Sequence, residues 1–110
     1  EKQYRVRVHQ LRAGVEPGRK FIGYEELCGR FGGLCVSDYT VVFDGQMDTG
    51  QPEELYERFN AKELPKGYCG HRLSVSDLLE LCHDKGSDWW YLDLEGFVPV
   101  RMTKEEKTEG

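Results

Sequence analysis

The chain reads as an α+β domain: a mostly antiparallel sheet of about four or five strands with two short helices packed on one face. Three observations predict this class. The first residues alternate apolar and polar with the period of a half-buried strand. The last third holds short apolar and aromatic runs separated by glycine-containing turn signals. Between them lie two short segments with apolar residues at helical spacing and recognisable start or stop residues.

In β-type alternation, Tyr4, Val6 and Val8 point one way and Arg5, Arg7 and His9 the other, which makes Gln3 to Leu11 the first strand. Gly14, Pro17 and Gly18 mark the stretch from Arg12 to Arg19 as a loop. After Phe21, the residues Tyr24, Leu27, Cys28 and Phe31 fall on one helical stripe, and Gly32-Gly33 supplies a stop. Asp38 to Phe43 is a second strand with Tyr39, Val41 and Phe43 on one face and Val42 on the other; Asp44-Gly45 follows as a turn. Pro52 to Phe59 is the clearest helix. Pro52 suits the first helical position, Glu53 and Glu54 complement the dipole, Leu55, Tyr56 and Phe59 form the buried face, and Asn60 ends it.

Residues 61–70 form an irregular loop with Pro65, Gly67 and Gly70. Ser74-Val75-Ser76-Asp77 is a tight turn feeding a strand from Leu78 to Cys82, rather than a helix cap. A hairpin loop around Lys85-Gly86 leads to a return strand from Trp89 to Leu92. Glu95-Gly96 turns the chain into a last strand, Phe97 to Met102, where Pro99 suits an edge. Residues 1–102 are thus one domain, with a strand–helix segment at 1–37 ahead of a core at 38–102, and residues 103–110 are a charged, frayed tail.

The net charge of -5 is uneven. Residues 1–20 hold six Lys/Arg against two acids, residues 21–60 two against eight, and residues 61–110 seven against ten. An acidic whole argues against broad, charge-driven binding to nucleic acid. No apolar run approaches the ~20 residues of a membrane helix, and no signal-peptide pattern is visible. The four cysteines, Cys28, Cys35, Cys69 and Cys82, are therefore expected to be free thiols in a cytoplasmic protein. The chain begins at Glu1 rather than Met, which suggests a piece of a longer protein.

The phrase from Gly70 to Asp77, with Glu54-Leu55-Tyr56-Glu57-Arg58-Phe59-Asn60 before it and Trp89-Trp90-Tyr91 to Gly96-Phe97 after it, forms an ordered set. From about Tyr39 to Met102 this set resembles the YodL-like family, small domains in proteins of Gram-positive and gut bacteria, often carried on conjugative or other mobile elements. The first segment, with Tyr4 to Leu11 and Phe21 to Leu27, resembles what often precedes that domain. The chain departs from the pattern at Leu78-Leu79-Glu80-Leu81, where valine is usual, at Arg72, where serine is common, and at Cys69, where an aromatic is common. The resemblance implies a mobile-element setting and no mechanism.

Several constellations compete with bland readings. His71, a serine and Asp77 have the residue types of a nucleophilic triad, but short polar side chains this close in sequence usually fix a turn, with Gly70 supplying an unusual backbone angle. Cys69, His71, Cys82 and His83, with Cys28 or Cys35, have zinc-ligand chemistry without the paired spacing that zinc sites use. Trp89, Trp90 and Tyr91 offer a stacking platform if one face of their strand is open. Arg5, Arg7 and His9 form a cationic stripe that can meet phosphate or an acidic partner, or be neutralised by the acids of residues 44–57. No catalytic set, metal or cofactor is expected. The expected function is a non-enzymatic interaction module of a larger mobile-element protein, its binding residues Arg5, Arg7, His71, Asp77 and Trp90, its partner a protein. The alternatives are nucleic-acid binding through the basic strand with Trp89 and Trp90, or an acidic anti-restriction protein.

Overall fold

A strand whose alternate residues are Val6 and Val8 can bury one face completely, and both valines are fully buried. In the computed structural model, which describes residues 3–12, 14, 22–32, 34 and 36–100, this strand is β1 (Tyr4–Leu11). It pairs antiparallel with β2 (Tyr39–Met47) on one side and β3 (Leu78–His83) on the other. β4 (Gly86–Asp93) and β5 (Gly96–Val100) complete a five-stranded antiparallel sheet in the order β2-β1-β3-β4-β5. Two-residue turns at Asp84-Lys85 and Leu94-Glu95 join the last three strands into a meander. All of the expected loop from Arg12 to Arg19 except Arg12 and Gly14, together with Phe21, Gly33, Cys35, the continuation of the last strand to Met102 and the tail at 103–110, lies outside the described residues.

The fold class is the expected one, mostly sheet with two short helices, but the helices do not share a face. Neighbouring residues of β3 and β4 are both deeply buried: Leu78 with Leu79, and Tyr91 with Leu92. Successive strand residues face opposite sides, so the sheet carries a core on each. On one face, Val6, Val8, Leu79 and Leu92 meet Phe43 and Met47 of β2 and lie under Leu55 and Phe59, the buried stripe of helix α2 (Pro52–Arg58) and its end. On the other, Leu78, Tyr91 and Tyr39 pack with Leu27 of helix α1 (Tyr24–Phe31) and with Leu34. α1 ends as its sequence dictates, with Gly32 left-handed at φ 83° and its N–H donating to Cys28 O at 2.9 Å.

Three local expectations are corrected. β2 does not stop at Asp44-Gly45 but continues to Met47, because Asp44 pairs opposite Arg7 and Met47 is buried opposite Tyr4. Its faces also differ from strict alternation. The register against β1 shifts between Val8 and His9, leaving Val42 as an extra residue, so Val42 and Phe43 are both buried while Val41 is 48% exposed. Tyr56 does not join the buried face of α2: one residue past Leu55 it is turned about 100° around the helix, and it is 42% exposed. No helix among the described residues is long and apolar enough to cross a membrane.

Candidate interaction groove and the polar centres

The residues expected to bind a partner fall into three separate places. The first is the polar half of the α1 face. Arg5 donates from Nε and Nη2 to the two oxygens of Asp44 at 3.0 and 3.1 Å, and Arg7 Nε reaches the same carboxylate at 3.2 Å. Arg7 Nη1 also lies 3.3 Å from both oxygens of Glu80. Glu80 is buried in mid-strand and is held further by His9 Nε2 at 2.9 Å and by the Ser87 hydroxyl at 2.5 Å. The Trp89 ring covers His9 with centroids 5.0 Å apart. Arg5 beside Asp44 holds that carboxyl below its ordinary value. Burial alone would raise Glu80, yet the hydrogen bonds from His9 and Ser87 and the charges of His9 and Arg7 outweigh it and bring it to about 2. The expected open stripe is thus an acid–base ladder closed within the sheet, and His9, assigned to the outward face, is only 5% exposed.

The second place centres on Gln10, a residue the sequence did not single out. Its side chain is buried at the end of β1, and its amide clasps the loop that crosses it. Nε2 donates to His71 O at 2.8 Å and to Asp77 Oδ2 at 2.9 Å, while Oε1 accepts the His71 N–H at 3.2 Å. Tyr68 OH donates to His71 O at 2.8 Å, and Asp77 Oδ2 accepts the Ser74 N–H at 2.9 Å. Ser76 stands at φ 88°; its N–H reaches Leu92 O at 2.9 Å and its carbonyl accepts from Tyr39 OH at 2.9 Å. The Gly70-to-Asp77 phrase is therefore a loop clamp. Asp77 is buried inside it, and the exposed His71 is joined to it through its backbone. Gly70 serves by close approach rather than by an unusual backbone angle. A Cβ there would stand 2.2 Å from Gln10 Oε1 and 2.8 Å from Val42 Cγ1. Beside it, the Cys69 N–H takes up the Val42 carbonyl at 2.7 Å, satisfying the bulge.

Trp90 is the third place, and it does not adjoin the first. It lies on the α2 face, half-buried against the core with an indole nitrogen that is buried without a hydrogen-bond partner, whereas Trp89 shares the face of Arg7 and His9. A patch combining Trp90 with Arg5 and Arg7 is ruled out by strand alternation. Nor do the thiols and imidazoles gather. Cys69 and His71 sit over Gln10, while Cys82 pairs opposite Arg5, five residues or about 16 Å away along β1. Cys28, Cys69 and Cys82 are unbridged, and no metal-holding group of His, Cys, Asp and Glu occurs among the described residues.

The open apolar surface lies elsewhere. Leu94, at the tip of the β4–β5 turn, is 67% exposed. On one side of it a groove of about 460 Å³ runs between α2 and the turn, with Tyr56, Val75, Leu92 and Phe97 among its walls and Glu53 and Glu57 on its rim. Tyr56 meets Phe97 edge-on at 6.3 Å. On the other side a second groove, also about 460 Å³, passes Tyr24, Glu25, Glu26, Val98 and Pro99. Asp93 lines both and ties the turn to α1 by accepting the Tyr24 N–H at 3.2 Å and the Leu94 N–H at 2.8 Å. Among the described residues, no lysine or arginine lines either groove. Sequence reasoning missed this surface because Tyr56 was counted with the core and Leu94 sits in a turn read for its glycine.

A five-stranded antiparallel sheet with one helix on each face, its loop clamped through Gln10 and an apolar groove beside the last turn, defines a small α+β domain. A family model described as the YodL-like domain matches residues 5–102, and the chain belongs to that family. The match takes in β1 as well as the stretch from Tyr39 onward. No curated protein and no solved structure matches the chain.

Proposed function

We propose that this YodL-like domain is a non-enzymatic interaction module of a larger, cytoplasmic mobile-element protein, and that it holds a protein partner in the groove between α2 and the β4–β5 turn. One observation carries the reading: Leu94 and Tyr56 stand exposed around the half-buried Phe97. An aromatic and aliphatic centre inside a polar rim is the composition that protein interfaces favour. The mobile-element setting rests on the family resemblance alone. The nucleic-acid alternative draws less support, because the guanidinium groups of Arg5 and Arg7 are engaged by Asp44 and Glu80, and Trp89 and Trp90 lie on opposite faces.

Photo-crosslinking in the source cell tests the reading. A crosslinking side chain at position 56 of the full protein is expected to join a protein of defined mass. One at the exposed position 41, on the far edge of the sheet, is expected not to. Leu94→Asp should remove the adduct. Equal crosslinking from both positions, or none from position 56, refutes the groove as the interface.

A further inference from the structure

We propose, building on the groove as an interface, that its occupant is a cationic segment of a protein: lysine or arginine flanking one large apolar side chain. Among the described residues that line the groove, the charge is of one sign. Glu53 and Glu57 stand four residues apart on α2, both on the rim, and neither has an ion-pair or side-chain hydrogen-bond partner among the described residues. A carboxylate in the first turn of a helix is favoured by the helix dipole, which accounts for Glu53. Glu57 has no such support: it sits toward the C-terminal end, where the dipole opposes it, and it stands four residues from Glu53, the spacing at which like charges on a helix disfavour each other. The nearby basic residue of that turn, Arg58, is turned to Asp48 at 3.3 Å. Asp93 adds a carboxylate between the two grooves, and Glu25 extends the acidic rim beyond Leu94 without a partner of its own among the described residues. A cation placed between Glu53 and Glu57 relieves what the chain itself leaves uncompensated.

The floor supplies the second half of the recognition. Tyr56, Val75, Leu92 and Phe97 enclose a space within the range of small-ligand pockets, roomy enough for one leucine- or phenylalanine-sized side chain. The adjoining edge strand does not offer a full backbone ladder, because Pro99 lacks an N–H. Side-chain burial and charge, rather than strand addition, then carry the specificity.

The test uses the full chain and two short synthetic peptides. One carries lysine and arginine on both sides of a single phenylalanine; in the other, glutamate replaces each basic residue. The basic peptide is expected to shift the backbone NMR signals of Tyr56, Val75, Leu94 and Phe97, and to bind about tenfold more weakly when Glu53→Gln and Glu57→Gln are combined. Both glutamates are exposed, so the double variant keeps the fold, which its unperturbed spectrum verifies. Equal binding of the two peptides, or of the basic peptide to parent and variant, overturns the cationic occupant and leaves the crosslinking result at position 56 untouched. An oligolysine without the phenylalanine that binds as tightly overturns the apolar anchor.

Discussion

Replacing Glu80 by glutamine removes one negative charge from the most enclosed ion network of the sheet while keeping the side chain's size. In the folded chain its carboxyl lies at about 2, against an ordinary 4.5. At 1.36 kcal/mol per unit, that difference corresponds to about 3 kcal/mol of stabilisation of the charged form. Because the folded value is the lower one, the stabilisation is complete above about pH 4.5 and is lost as the pH falls toward 2. At pH 7, Glu80→Gln should therefore lower stability by about 3 kcal/mol, a large share of the 5–15 kcal/mol typical of a domain. For a chain of this length the melting temperature should fall by roughly 10–20 °C. Urea denaturation of parent and variant at a series of pH values is the assay. The gap between them should be widest at neutral pH and close as the pH approaches 2. Asp44, whose value is also lowered, changes both proteins alike and drops out of the difference. A gap that stays constant from pH 7 to the acid limit would refute the reasoning, since the variant's effect would then come from packing and not from the charge of Glu80.

Two further substitutions address the loop clamp. Asp77→Ala strips a buried acceptor from the Ser74 N–H and the Gln10 amide and should cost about 2 kcal/mol, read as a lower urea midpoint with unchanged slope. Unchanged stability together with loss of the crosslink from position 56 would instead make Asp77 a binding residue. Ser76→Gly should raise stability by up to about 1 kcal/mol, because the residue stands at a positive φ where a side chain is strained. A lower melting temperature would show that the Ser76 side chain contributes more than its backbone conformation costs.

Much of the sheet was legible because its signals are local. The alternation of Val6 and Val8, the Pro52 start of α2, the Gly32 end of α1 and the turn ahead of Leu78 each need only a few neighbouring residues. What escaped depends on distant partners. Nothing beside Val42 announces a bulge; it appears only against Val8 and His9, with Cys69 to take up its carbonyl. Glu80 looks misplaced among leucines until His9, seventy-one residues earlier in the chain, is brought next to it. A lone glutamine such as Gln10 carries no pattern at all, although its amide holds three parts of the loop. The helices were assigned to one face because the other face of the last strands was read as open, whereas Leu78 beside Leu79 and Tyr91 beside Leu92 make two cores back to back. Of the expected site residues, Asp77 was rightly suspected of fixing a turn; Arg5 and Arg7 were weighed against the acids of residues 44–57, which include Asp44, but not against Glu80.

The position of β1 has a consequence for how the protein is made. It leaves the ribosome ahead of the other four strands of the sheet, yet it lies inside that sheet, and one of its two partners, β3, lies nearly seventy residues further on, between Leu78 and His83. Until β3 has been synthesised, β1 and β2 can pair only with each other, and the edge of β1 that will meet β3 has no strand to close it. Such a two-stranded ribbon is marginal in water. The β3–β4–β5 meander, by contrast, needs only tight local turns. The two halves of the sheet therefore join late, across a long span of chain, which slows folding and leaves an unpaired strand edge for chaperones to guard during translation.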